Sequence, residues 1–120
     1  MKKIIFLFLL AGFSANAQTA TELLGKWQLV KWIEHGKEKD MVSYFKTDQV
    51  FQVFSEKNVF QSLIGEEVHK GKWKLSKDNT ELTINSGIIP VKFKIDYFDA
   101  EKRVISSDIM GTLTYKKIKE

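Results

Sequence analysis

Gly25-Lys26-Trp27-Gln28-Leu29-Val30 is the stretch of sequence that decides the fold of this chain. It opens on a glycine and then alternates apolar and polar side chains, which is the pattern of a strand with one buried and one solvated face. A related run, Gly71-Lys72-Trp73-Lys74-Leu75, repeats this pattern near the middle of the chain. Together the two runs predict a small β-barrel whose first and middle strands each bury a tryptophan.

The same period of two continues after residue 25, as in the alternation of Ile89, Val91, Phe93 and Ile95 with polar residues or proline. Short clusters rich in Asn, Asp, Ser and Gly separate the runs and are typical of turns. The fold class predicted is all-β, a small eight-stranded antiparallel up-and-down barrel, because closing the sheet buries one face and removes its edges. A two-sheet sandwich is the alternative. The predicted strands lie at roughly 25–34, 48–55, 58–64, 67–76, 80–85, 89–97, 102–108 and 111–118.

The first long connection departs from this pattern. Asp40 precedes a segment in which Met41, Tyr44 and Phe45 stand at positions i, i+3 and i+4. Because aspartate is a preferred N-cap residue, we expect a short helical turn in this loop. The turn would lie across one mouth of the barrel, either as a lid over a cavity or as a plug that completes a small core.

The first residues have the pattern of an export signal. A positive start, Met1-Lys2-Lys3, is followed by an apolar run from Ile4 to Phe13 and then by a small-x-small site that ends at Ala17. The apolar run is too short to span a bilayer as a helix. We therefore expect export to the periplasm or the medium, with no membrane-spanning segment after processing. The predicted organisation is a cleaved signal at 1–17, an N-terminal tail at 18–24 and one barrel domain at 25–120.

Composition excludes several classes of protein. The chain has no cysteine, which excludes a lipid-anchored lipoprotein, a disulfide framework and a thiolate metal site. Cleavage of the signal would remove Lys2 and Lys3, and with them two of the four net positive charges. The remaining bases are interleaved with acids, as in Lys37-Glu38-Lys39-Asp40, which is typical of a solvated surface. We expect no nucleic-acid partner.

No set of residues in the sequence is typical of catalysis or of metal binding. His35 and His69 lie in polar surroundings and have no second ligand at the spacing that zinc sites use. The acidic residues fall mostly in turns, and no serine lies in a Gly-x-Ser-x-Gly setting. We therefore expect no catalytic residue, no metal ligand and no cofactor, and a function that is not enzymatic.

The opening strand resembles that of lipocalin-like domains, whose hallmark is Gly-x-Trp. Bacterial exported members of this family also show a Phe-x-x-Asp-Gly-x-aromatic hairpin, a second Gly-x-Trp-x-Leu run and then Leu-x-Ile. This chain has Phe54 to Phe60, then Gly71 to Leu75, then Leu82-Thr83-Ile84. Glu56-Lys57-Asn58 stands where Asp-Gly is usual in the hairpin. The resemblance implies an eight-stranded barrel, closed at one end, that is able to hold a small apolar molecule and has no catalytic residues.

The aromatic residues are the candidates for binding. An interior of eight strands is either filled by side chains or holds one small ligand. We predict non-catalytic binding of a small apolar or amphipathic molecule. The alternative is a filled barrel that acts as a protein–protein interaction module, such as an inhibitor or an envelope assembly partner, through its loops or its tail at 18–22. The residues assigned to the inside are Trp27, Phe54, Phe60, Trp73, Phe93 and Tyr115. The candidate ligand-binding residues are Met41, Tyr44, Phe45, Phe54, Phe60, Phe93 and Tyr115.

The position of the signal cleavage is directly measurable. Intact-mass analysis of the native protein should give a chain that begins at Gln18, because the small-x-small site ends at Ala17. Recovery of a chain that still carries residues 1–17 from a membrane fraction would contradict this prediction.

Overall fold

The strands of the protein form one antiparallel sheet that closes on itself. The computed structural model describes residues 19–87 and 89–119, so the predicted signal at 1–17 and Gln18 lie outside the described residues. The elements, in chain order, are α1 (Ala20–Leu23), β1 (Gly25–Glu34), β2 (Lys37–Glu38), α2 (Met41–Phe45), β3 (Val50–Ser55), β4 (Val59–Ile64), β5 (Glu67–Leu75), β6 (Glu81–Asn85), β7 (Val91–Phe98), β8 (Lys102–Ser107) and β9 (Gly111–Lys117).

Closure of the sheet depends on β1, which pairs on both sides. From β3 to β9 each strand pairs with the next along the chain. Residues 25–28 of β1 pair with β3, and residues 27–33 pair with β9 around a bulge between Leu29 and Lys31. The two-residue β2 adds to the far end of β1. The predicted eight-stranded up-and-down barrel is therefore confirmed, with one additional short strand, and the sandwich is not formed.

Strand β5 is longer than its neighbour β6. It pairs with β4 over residues 67–72 but with β6 only over residues 72–75. The chain that leaves β6 passes close over Gly71, where an added Cβ would collide with the carbonyl oxygen of Asn85 and lie 2.7 Å from the Cα of Ser86. Glycine is required at this position because any side chain would force the two segments apart.

The alternating side chains of the strands fill much of the barrel. All six aromatic residues that the sequence assigns to the inside are buried, and Leu29, Leu82, Ile95, Ile105 and Leu113 join them. The predicted phase of the strands is thus confirmed. The assignment of Ile89 to the buried face is wrong, because β7 begins only at Val91 and Ile89 is 72% exposed.

A short helix closes one end of the barrel. The hydroxyl of Thr19 caps α1 by accepting a hydrogen bond from the backbone N–H of Glu22 at 3.3 Å. Leu23, on this helix, is fully buried, and its carbonyl accepts a hydrogen bond from Nε1 of Trp27 at 2.8 Å. Part of the segment predicted as a tail is therefore helical and belongs to the core.

The helical turn predicted in the first loop is confirmed as α2. The Asp40 carboxylate caps it by accepting from the backbone N–H of Ser43 at 3.3 Å and from its hydroxyl at 2.9 Å. These hydrogen bonds hold the pKa of Asp40 below its usual value, the one from the backbone N–H of Ser43 contributing most. Within the described ranges no helix is long and apolar enough to cross a membrane.

The hairpin between β3 and β4 keeps its pairing, although its turn sequence is unusual. Phe54 pairs with Phe60. Lys57 and Asn58 both have positive φ, at 64° and 63°, a backbone conformation that asparagine tolerates better than most residues. The side-chain amide of Asn58 also donates to the carbonyl of Trp73 at 2.8 Å, which ties the turn to β5.

The buried tryptophans give a test of the strand phase. Trp27→Ala and Trp73→Ala should each lower the free energy of unfolding by about 3–5 kcal/mol. Each substitution removes a buried indole and leaves a carbonyl, of Leu23 or of Ser55, without its N–H donor. Urea denaturation measures the loss.

Ile109→Ala is the matched control for these variants. Ile109 is 70% exposed, so its truncation should change stability by no more than about 0.5 kcal/mol. A tryptophan variant that unfolds at the same urea concentration as this control would place that indole on the surface.

Candidate functional site

A cavity of about 180 Å³ lies against the inner face of β3, β4, β6 and β7 and opens to solvent beside the exposed residues Ser86 and Ile89. Direct cross-strand pairs point to the same face of a sheet, so Gln52 and Ser62 face the interior together, as do Ile84 and Val91. Most of the wall is apolar, and Gln52, Ser62 and Ser86 supply polar groups. The residues that line the cavity are Gln52, Phe60, Ser62, Ile84, Ser86, Ile89, Val91, Phe93 and Met110.

Behind Gln52 lies a fully buried arginine. Arg103, from β8, has its guanidinium carbon 4.9 Å from the ring centroid of Trp27, 5.0 Å from that of Phe54 and 4.3 Å from that of Tyr115. Its Nη2 donates to Oε1 of Gln52 at 2.7 Å. Nε and Nη1 have no hydrogen-bond partner among the described residues. The cation is therefore held by three aromatic faces and by one hydrogen bond.

Burial shifts the titration of the groups around this arginine. Removal from water lowers the pKa of Arg103 to about 10, and the neighbouring Tyr115 opposes this only partly. Removal from water also raises the pKa of Tyr115 to about 12, against the pull of the Arg103 charge. At neutral pH the arginine is charged and the tyrosine is neutral, so this part of the interior carries an uncompensated positive charge.

A second cation lies at the same closed end. Nζ of Lys117 is 4.7 Å from the ring centroid of Trp27 and donates to the carbonyl of Glu22 at 3.3 Å. Burial is the largest cause that lowers the pKa of Lys117, and repulsion from Arg103 lowers it further. The indole of Trp27 thus lies against two cations, and the Glu22 carboxylate near Lys117 offsets part of the positive charge at the closed end.

The opposite mouth of the barrel is formed around Trp32 and α2. Tyr44 packs edge-on against Trp32 with ring centroids 4.9 Å apart, and Phe45 lies 5.7 Å from the same indole. Nε1 of Trp32 donates to the carbonyl of Met110 at 2.6 Å. Because Met110 also lines the cavity, the indole connects α2 to the wall of the cavity.

The predicted binding residues are divided between the two ends of the barrel. Phe60 and Phe93 line the cavity. Met41 and Phe45 are half-buried against the core at the mouth, and Tyr44 is 61% exposed.

Phe54 and Tyr115 belong to the Arg103 cage at the closed end. Phe54 pairs with Gly25 at the start of β1, whereas α2 stacks on Trp32 near the end of that strand. The structure therefore does not bring α2 together with Phe54 and Tyr115.

Sequence reasoning missed Arg103, Gln52 and Trp32. Arg103 pairs with Tyr115, and Ile105 pairs with Leu113, so the period of two does place the arginine on the inner face. The signal was present in the alternation of β8. Because arginine is rarely fully buried unless it is paired, the residue type favours an exposed position and masks this signal.

The described residues contain no group of three or more side chains that could hold a metal ion. His69 lies in β5, within the predicted strand at 67–76, and its Nε2 is 3.3 Å from Oε1 of Glu67 on the exposed surface. The interior offers apolar contact, hydrogen bonds and positive charge, which is the chemistry of binding.

We expect two substitutions of Arg103 to lower the free energy of unfolding by different amounts, because the aromatic cage fits a guanidinium group. Arg103→Met should change stability by less than about 1.5 kcal/mol, because it keeps much of the volume and removes a buried charge. Arg103→Lys should cost more than about 2 kcal/mol, because a compact ammonium group cannot spread over three ring faces and burial disfavours its charged form. Urea denaturation at neutral pH measures both.

The loss in Arg103→Lys should also shrink as the pH rises toward ~10.4, the ordinary pKa of lysine. Over this range the unfolded state binds more protons than the folded state, so the free energy of unfolding increases with pH. If Arg103→Met proves the more damaging substitution, the charge itself stabilises the closed end.

Comparison with known proteins agrees with this architecture. Similar solved structures include a lipocalin-like protein from Bacteroides uniformis (20% identity, 81% of this chain and 99% of that chain, TM-score 0.63) and an uncharacterized protein from Bacteroides eggerthii (19% identity, 80% and 99%, TM-score 0.63). At this level of identity the likeness shows the fold alone. No curated protein matches the chain. A family model for the lipocalin-like domain matches residues 23–102, which is well over half of the chain, and the protein therefore belongs to the lipocalin-like domain family.

Proposed function

We propose that this protein is an exported, non-catalytic binding protein that takes one small apolar or amphipathic molecule into its barrel. The observation that carries the proposal is the cavity of about 180 Å³, whose wall is mostly apolar with a few polar groups. Ligand sites in proteins commonly combine these two features. Membership of the lipocalin-like family supports a binding role.

The size of the cavity limits the ligand. Sites for drug-sized molecules measure about 300–1,000 Å³, whereas this one measures about 180 Å³. The ligand is therefore a short molecule, or the end of a longer one whose remainder leaves the barrel past the exposed side chain of Ile89.

Segment α2 is the proposed lid. Met41 and Phe45 pack against the edge of the core. Tyr44 and Phe45 both contact the ring of Trp32, whose Nε1 donates a hydrogen bond to the carbonyl of Met110 in the cavity wall. Displacement of α2 would uncover the mouth without disturbing the strand pairs of the barrel.

Export is the second part of the proposal. It is supported by the positive start, the apolar run and the small-x-small site within residues 1–17. The barrel would then act in the periplasm or in the medium.

A second candidate function is a protein–protein interaction module, either an inhibitor or an envelope assembly partner. The observation that favours it is the closed half of the barrel, where Trp27, Phe54 and Tyr115 are all buried around Arg103. A barrel filled in this way would present its function on its outer face or its loops. Pull-down from periplasm and medium tests this candidate.

Titration with a fluorescent fatty acid distinguishes the two candidates. Saturable quenching of tryptophan fluorescence at micromolar probe is expected, because Trp73 pairs with Ile84 and Trp32 bonds to Met110, both of which line the cavity. If no saturable quenching occurs, the binding proposal fails and the interaction module takes its place.

Substitutions in α2 should weaken ligand binding more than they lower the stability of the barrel. The double variant Tyr44→Ala/Phe45→Ala should weaken probe binding by at least about fivefold while lowering stability by less than about 3 kcal/mol. The loss of stability is limited because Tyr44 is 61% exposed and Phe45 is only half-buried. Probe titration and urea denaturation of the same samples give the two readouts.

Val42→Ala is the matched control. Val42 lies on the same helix and is 53% exposed, so its truncation should leave both measurements unchanged. A double variant that loses most of its stability, in a protein that binds no probe, would mean that α2 is a plug.

A further inference from the structure

We infer that the cavity selects molecules with a negatively charged, hydrogen-bond-accepting end, so that its ligand is a small amphipathic carboxylate. This inference rests on the proposed function and names the chemical class of its ligand. Two features of the interior carry it, namely the fixed orientation of the Gln52 amide and the uncompensated charge of Arg103 behind it.

The orientation of the Gln52 amide follows from the chemistry of its partner. A guanidinium group has only donors. The group that faces Nη2 of Arg103 at 2.7 Å must therefore be the side-chain oxygen of Gln52. Since Gln52 also lines the cavity, its amide nitrogen is the end left to meet a ligand. An amide nitrogen only donates, so the matching group on the ligand must accept.

The neighbouring serine hydroxyl groups can hydrogen-bond to the same ligand. Ser62 pairs directly with Gln52 across β3 and β4, and Ser86 lies in the same wall. A hydroxyl group both donates and accepts. Gln52 therefore sets the polarity of the site, and the two serines can add donors to the same acceptor.

Charge favours an anion over a neutral acceptor. The three ion pairs found within residues 19–87 and 89–119 join surface groups, and none of them includes Arg103. Arg103 is fully buried, and its Nε and Nη1 have no hydrogen-bond partner in this part of the chain. Buried charges in proteins are usually paired, because water no longer screens them. A carboxylate held on Gln52 would supply the missing counter-charge.

Octanoate and octan-1-ol form a matched pair of probes for this inference, since they share one apolar chain and differ in the charge of the polar end. Calorimetric titration at pH 8, where octanoate is ionised, should show octanoate binding at least about tenfold more tightly than octan-1-ol. Equal binding of the two would overturn the inference and leave the proposed function standing. Binding of neither would overturn the proposed function and the inference with it.

Substitution of Gln52 tests the same point within the protein. Gln52→Glu places a carboxylate against Arg103 and should abolish the preference for octanoate while octan-1-ol still binds. Gln61→Glu makes the same change in charge on the outer face, opposite Val53, and should leave the preference intact. A Gln52→Glu variant that keeps the preference would overturn the inference. The comparison of the two probes on the unchanged protein decides the question even if this variant does not fold.

Discussion

The packing around Trp27 is the interaction on which the rest of the structure depends. Its N–H group binds the carbonyl of Leu23, so the indole fixes α1 against the end of the barrel. Its ring lies against the guanidinium group of Arg103 and the ammonium group of Lys117. One side chain therefore joins the segment before β1, the strand β8 and the last strand β9. These contacts hold together the region where a sheet of this topology must close.

The two halves of the interior are built differently. At the closed end, aromatic rings surround the buried guanidinium group of Arg103. The positive charge is tolerated there because the guanidinium group lies on the electron-rich faces of the rings. Toward the mouth, the lining includes the shorter side chains Ser62, Ser86 and Val91, and a cavity remains. Gln52 lies at the boundary, with one end of its amide on Arg103 and its side chain in the cavity wall. Gln52 thus links the buried charge of Arg103 at the closed end to the wall of the cavity.

Most of the fold could be predicted from the sequence, because a period of two both defines a strand and gives its buried face. Trp27 and Trp73 follow this rule, and so does Asp40 as the cap of α2. The candidate site could be predicted only in part. The alternation of side chains along β8 places Arg103 on the inner face of the barrel. It does not specify which rings surround the arginine, because those rings come from β1, β3 and β9. The contact between Arg103 and Gln52 joins residues far apart in sequence, and no local pattern encodes it.

The unequal lengths of β5 and β6 leave a stretch of β5 with strand pairing on one side only. Over residues 67–71, β5 is paired with β4, and no described strand pairs with its other side. Unpaired backbone groups of this kind can add a strand from another molecule. The residues there include Glu67, His69 and Lys70, which are exposed. Charged side chains on a sheet edge disfavour the addition of a strand from another molecule. Along this stretch of β5, side-chain charge rather than backbone pairing disfavours the addition of a strand from another molecule.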